Sequence, residues 1–223
     1  MRISHLFILL AASAMLTACD FLDEYNPNSV TVGNYYTSEE DIVASLNGVY
    51  TSLTQSYVAD NYHYFTDVRA NATVVTNSGA NSGIPYQFYN YTLTEENVYV
   101  YNRYSQLYKI ISRANTLFAH LGDVSYATPS ARDTYEAEAR FLRALSYYWL
   151  VTEWGDVPLV LKVLESTEEV RANNYRRPKA EIYQAIFDDL KYVTESPLLD
   201  VQPASACGKV SKAAAWALWG KAL

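Results

Sequence analysis

The sequence predicts a mainly α-helical domain interrupted by one long excursion rich in tyrosine and asparagine. Three observations carry this. Apolar residues recur at three- and four-residue spacing in five segments, helix-boundary residues punctuate those segments, and residues 55–94 break the pattern. Residues 38–54 place Ile42, Leu46, Val49, Tyr50 and Leu53 on one stripe, and Thr37-Ser38-Glu39-Glu40 before them reads as a capping box with Thr37 as the cap and Glu40 reaching back. Residues 95–121 put Tyr104, Leu107, Tyr108, Ile111, Ala114 and Phe118 on a buried face and stop at Gly122. Thr128-Pro129 opens the third helix, with proline in its first turn; its face carries Tyr135, Ala139, Leu142, Leu145, Tyr148 and Trp149, and it stops near Gly155. In Gly155-Asp156-Val157-Pro158, glycine lets the helix end and proline prevents its resumption, so a loop is expected from there to about 177. Pro178 starts a fourth helix through Ile182, Ile186, Leu190 and Val193, and Ser211 caps the last.

Small residues fall where helices should approach closely: Ala137, Ala139 and Ala144, then Ala213, Ala214, Ala215 and Ala217. Antiparallel helix pairs with alanine at the contact and aromatic knobs around it suggest tetratricopeptide-like stacking without the strict repeat. The run Ala213 to Leu223 is apolar and lacks a helix stop, which reads as an element cut in its middle.

Residues 55–94 have poor periodicity and turn signals at Asn77-Ser78-Gly79 and Asn81-Ser82-Gly83. A loop of this length inside a domain is usually functional. Tyrosine is the compositional outlier, at 21 residues against 7 Phe and 4 Trp. It joins an apolar ring to a polar tip, which suits wet recognition surfaces. Sugar rings stack their apolar faces on aromatics while Asn and Ser groups bond their hydroxyls. Asn61, Tyr62, Tyr64, Tyr86, Phe88, Tyr89, Asn90 and Tyr91 are therefore the candidate ligand contacts. The competing expectation is that these rings bury against the helical bed or against a further, C-terminal half.

The N-terminus is of a different kind. Arg2, the apolar run Leu6–Ala12 and the small-residue site Leu16-Thr17-Ala18-Cys19 read as an export signal too short to span a bilayer. Leu-x-Ala-Cys resembles the bacterial lipobox, so residues 1–18 are expected to be a removed signal and Cys19 the lipidated N-terminus. Two or three acyl chains anchor stably where one does not. Residues 19–36 then form an acidic tether, and 37–223 the helical domain.

Net charge is −7, and loss of residues 1–18 removes one cation, Arg2, and no acid. That balance argues against nucleic acid and against electrostatic docking on anionic lipid. Cys207 is the only other cysteine, so no disulfide framework exists, and it is expected to be a small packing residue. His63 and His120 are isolated, no glycine-rich phosphate loop occurs, and no nucleophile–base pair is evident; neither a cofactor nor a metal is expected. Arg140 and Arg143 are expected to pair with acids while their stems cover neighbours. The pairs Glu95-Glu96 and Asp188-Asp189 read as solvated, and Asp156 has no partner nearby in sequence.

Four stretches give the chain a recognisable character. They are Cys19–Asp23 with Asn26-Pro27, Thr37–Asp41 and Leu46–Tyr50; Tyr104–Asn115; Glu138–Leu150 with Trp154–Leu159; and Ile182–Ile186 with Asp189-Leu190 and Gly208–Ala214. In this order they resemble the SusD/RagB family of nutrient-binding outer-membrane lipoproteins, whose members are considerably longer. The resemblance implies a SusD-like helical fold and a Bacteroidetes-type surface lipoprotein facing the cell exterior. It implies a lid over a TonB-dependent, SusC-like outer-membrane transporter that receives glycans, or alternatively peptides, and no enzymatic activity. Asp20, Asp23 and Glu24 resemble the surface-export signal of such lipoproteins. A lipid-anchored tetratricopeptide-type scaffold for another protein and a surface hydrolase are the competing readings.

Overall fold

The computed structural model describes residues 35–79 and 83–223; Cys19, the signal and the tether up to residue 34 lie outside the described residues. The helices are α1 (Glu39–Leu53), α2 (Tyr86–Tyr89), α3 (Val98–His120), α4 (Ala131–Trp154), α5 (Thr167–Asn173), α6 (Lys179–Glu195) and α7 (Lys212–Ala222). A π-helical turn spans Tyr64–Val68 and a 3₁₀ turn Ala204–Ala206. The bed is built around α4, which packs on α3, α6 and α1 and touches α7; α1 also packs on α3, and α7 on α6. No strand runs through the described residues; Val157 and Arg177 form an isolated antiparallel bridge.

The apolar stripes explain the packing. Ile42, Leu46 and Val49 of α1, Leu107, Ile110, Ile111, Ala114 and Leu117 of α3, Leu142, Tyr147 and Leu150 of α4, and Ile182, Ile186, Leu190 and Val193 of α6 share one core. Ala137, Ala139 and Ala144 are fully buried, as close approach requires. In α7 only part of the expectation holds: Ala215 is buried, whereas Ala213 and Ala217 face outward.

Several boundaries shift for local reasons. The cap of α1 is Ser38, not Thr37, and the reaching acid is Asp41, not Glu40. Ser38 is extended, and Asp41 Oδ2 accepts from the backbone N–H groups of both Thr37 and Ser38, at 3.0 and 2.9 Å. The shorter Asp at the third helical position satisfies two donors at once. Glu39 instead reaches across to Ala127 N and Tyr135 Oη, both at 2.7 Å, and these bonds hold its carboxyl below the usual range. Helix α4 starts at Ala131 rather than Pro129, because Thr128–Ala131 close a separate turn first.

The segment after α4 is more ordered than a loop. Gly155 adopts φ 73°, a conformation that favours glycine, and ends the helix. Asp156 accepts from Lys179 N at 2.8 Å and so caps α6, whose N-cap position is held by Pro178 without a side-chain bond; its partner was simply remote in sequence. Residues 158–162 have no ladder, and side chains of the bed take its place. Tyr108 donates to Pro158 O (2.6 Å), Asn115 to Val160 O (2.9 Å) and Arg143 to Leu161 O (3.1 Å), while Tyr147 Oη receives Val160 N (2.7 Å). Ser166 then caps the short helix α5, which no apolar stripe announces because none of its residues is buried.

Two polar expectations are corrected. Asp189 is buried rather than solvated: it accepts from Arg143 Nε and Nη2 (2.8 and 2.7 Å) and from Arg140 Nη1 (2.8 Å). Its neighbour Asp188 stays exposed, since adjacent helical residues point apart. The two arginines pair with acids as expected, Arg140 taking Glu136 as well. Cys207 is exposed beside the 3₁₀ turn and does not pack in the core.

Candidate functional site

Residues 55–94 are not an irregular loop throughout. The π-helical turn and α2 bring Val68, Phe88 and Tyr99 into a second small core, with Tyr57, Tyr64, Phe65, Ile84, Tyr89 and Leu93 around it. The rings meet edge to face: Tyr64–Tyr99 at 5.4 Å and 85°, Phe65–Phe88 at 4.9 Å and 67°, Tyr57–Tyr99 at 5.3 Å and 82°. Such pairs add about 0.5–1.5 kcal/mol each beyond area burial. Asn97 fastens the end of the excursion, donating to Ile84 O (3.1 Å) and Gln87 Oε1 (2.9 Å) while its Oδ1 caps α3.

This arrangement divides the eight candidate residues. Phe88 is fully buried and Tyr64 half-buried in the small core, where burial pushes the Tyr64 hydroxyl up. Tyr86 and Tyr89 pair with each other at 5.5 Å, both half-buried. Asn61 closes its own turn by donating to Ser56 O, and the Asn90 side chain meets Thr92 Oγ1 at 2.6 Å. Tyr91 is exposed at φ 59°, with its hydroxyl donating to Arg69 O (2.6 Å). Tyr62 alone of the eight lines the cleft between the excursion and α4.

That cleft has a volume of about 410 Å³. Tyr62, Phe65 and Thr66 of the excursion line it together with Leu145, Tyr148, Trp149, Thr152 and Glu153 of α4 and Leu218 and Lys221 of α7. The Tyr62 and Trp149 ring centres are 6.0 Å apart. Behind these rings sits Arg103, fully buried. Its guanidinium forms a bidentate pair with Glu153 (Nε–Oε2 2.7 Å, Nη2–Oε1 2.6 Å) and lies 4.9, 4.9 and 5.5 Å from the ring centres of Tyr62, Phe65 and Trp149. Burial pushes the Glu153 carboxyl up, against the opposing pull of Arg103. Aromatic rings with threonine hydroxyls, the Glu153 carboxylate and the Lys221 ammonium around them can stack a flat apolar ligand face and bond its polar rim.

Phe65, Tyr148, Trp149, Thr152 and Lys221 lie outside the candidate contacts that the sequence offers. Tyr148 and Trp149 counted as the buried face of their helix, but the fully buried stripe runs through Leu142, Ser146, Tyr147 and Leu150. That offset turns Tyr148 and Trp149 to the edge of the bed, where the excursion meets them. Among the described residues no group of three His, Cys, Asp or Glu could hold a metal ion, and no helix is long and apolar enough to cross a membrane.

The sequence model of the SusD-like family, described as starch-binding and associating with the outer membrane, matches residues 20–222. The chain belongs to the SusD-like family. It is 27% identical over 216 residues to SusD-like protein P2 of Formosa agariphila, covering 96% of this chain and 41% of that one. A SusD-like protein of Bacteroides ovatus is 25% identical over 207 residues, covering 86% and 35%. The chain thus spans about two fifths of the length of these relatives. Among solved structures, a laminarin-binding SusD-like protein superposes with a TM-score of 0.71 at 28% identity, over 84% of this chain and 40% of that one. A SusD-like protein from Bacteroides fragilis shares the fold, with a TM-score of 0.70 at 22% identity over 84% and 35%.

Proposed function

We propose that this chain belongs to a cell-surface lipoprotein that captures a glycan and delivers it to a TonB-dependent, SusC-like outer-membrane transporter. The cleft between the excursion and α4 is where the sugar sits. The observation that carries this reading is the set of three rings, Tyr62, Phe65 and Trp149, held around one buried guanidinium and facing a cleft of about 410 Å³. That volume lies in the roughly 300–1,000 Å³ range of small-molecule sites. Family membership and the laminarin-binding relative support a carbohydrate as ligand. Tyr62 contacts the sugar from the excursion side; Asn90, Tyr91, Tyr86 and Tyr89 extend the surface along the excursion, whereas Tyr64 and Phe88 shape it from within.

The test is affinity electrophoresis of the full-length protein against a panel of polysaccharides that includes laminarin. Retardation by at least one, abolished in Trp149→Ala, is expected. If no polysaccharide retards the wild type, the glycan reading fails and a peptide ligand takes its place. Residues 1–18 act as the export signal, Cys19 carries the lipid, and the tether expected over 19–36 ends before Tyr36, whose ring stacks on His120 of the bed at 4.1 Å. Cys19→Ala should give a soluble or mislocalised protein with its helical fold intact; membrane retention would contradict the anchor. Purification from outer membranes should bring a TonB-dependent transporter with it.

A further inference from the structure

Among the described residues, Arg103 is the largest fully buried side chain, and it sits where two regions meet. Besides its bidentate bond to Glu153 of α4, Arg103 Nη1 donates to the backbone carbonyls of Tyr57 (3.1 Å) and Val58 (3.3 Å), in the excursion's first limb. One planar cation on α3 thus holds an acid of α4, two carbonyls of the excursion and three rings drawn from both. Stability does not require this: a buried ion pair is often replaceable by apolar residues of similar volume at no cost. What an apolar filling cannot supply is the fork geometry that fixes two carbonyls and three ring planes together.

We infer that Arg103, oriented by Glu153, is a positioning residue that seats residues 57–65 on the bed and sets Tyr62 and Phe65 beside Trp149. Its consequence for sugar binding rests on the function proposed above; the seating itself does not. Both are tested with full-length Arg103→Met/Glu153→Leu, which removes both charges together, and with Arg103→Lys, which keeps the charge and loses the fork; because Glu153 also lines the cleft, affinity is read on Arg103→Lys alone.

Three readouts are compared: thermal unfolding, amide hydrogen exchange resolved by segment, and affinity for laminarihexaose. The expected result is an unfolding midpoint within about 4 °C of wild type, amides of 57–68 exchanging at least about tenfold faster while those of α4 and α6 are unchanged, and affinity reduced about tenfold or more. Unchanged exchange at 57–68 in both variants would overturn the positioning role. So would exchange rising equally throughout the helices, which marks a general structural role. Faster exchange at 57–68 with affinity unchanged would overturn the link to the cleft. If the wild type binds no laminarihexaose, the glycan reading has failed for that sugar, and the exchange measurement still decides what Arg103 does.

Discussion

Two buried arginines distinguish the two regions of this molecule. Arg143 lies inside the bed, where it bonds Asp189 of α6, Asn115 of α3 and Leu161 O of the following segment. Arg103 lies at the border, where it bonds Glu153 and the carbonyls of Tyr57 and Val58. Around Arg143 the helices share a broad apolar core, so the arginine closes a network that packing already specifies. Around Arg103 the small core holds only three buried residues, Val68 and Phe88 of the excursion and Tyr99 of α3, while Val58 of the excursion packs into the bed's core. Three such residues cannot offset the ordering entropy of some forty, so the excursion depends on its ties to the bed. A region held by few polar links can open by itself, and binding segments are commonly drawn from that low-stability end.

Mutations in each region show how separately the two fold. Asp189→Ala leaves Arg143 buried without its acid and should destabilise the whole domain by about 3–5 kcal/mol, seen as a single cooperative loss in chemical denaturation. A loss below about 1 kcal/mol would show that the network is not integral to the bed. Leu142→Ala should cost about 2–5 kcal/mol globally. Phe88→Ala deletes a larger side chain, yet its global cost should be smaller, because the excursion can open locally; equal costs would make the two regions one cooperative unit. Ser38→Ala removes the cap of α1 and should cost about 1 kcal/mol.

The smallest effect concerns pH. Glu138 is buried and accepts from Tyr50 Oη at 2.6 Å; burial raises its carboxyl above the unfolded value. An acid raised on folding binds its proton more readily in the folded state, so its contribution falls as pH rises above about 4.5. Glu138→Gln keeps an acceptor for Tyr50 and removes that dependence. Its stability advantage over wild type should be greater at pH 7 than at pH 5 in parallel denaturant titrations. A gap that widens as pH falls would contradict the assignment.

Much of the bed was legible in the sequence, because a stripe at helical spacing states which face meets a core. The stripes of α1, α3 and α6 predicted buried faces that the structure shows. Polar partners were less legible, since they come from afar. Glu153 is 50 residues from Arg103, Asp189 is 46 from Arg143, and Asp156 is 23 from the amide it caps. No local pattern encodes such pairs. The candidate site was legible only as a composition. Eight residues of the excursion were singled out, and edge-to-face packing draws Tyr64 and Phe88 inward, whereas Tyr62 reaches the cleft. The cleft residues Tyr148 and Trp149 belong to a helix whose buried stripe is offset from the expected one, and that offset becomes visible only when α3 and α6 take their places beside it.

The cleft is the claim on which the rest turns. Isothermal titration of the full-length protein with an oligosaccharide of whichever polysaccharide retards the wild type, repeated for Tyr62→Ala and Trp149→Ala, tests it most directly. Each variant should retain its helical signal and lose at least about tenfold in affinity, or ~1.4 kcal/mol. Wild-type affinity in both variants would place the sugar elsewhere and contradict the account.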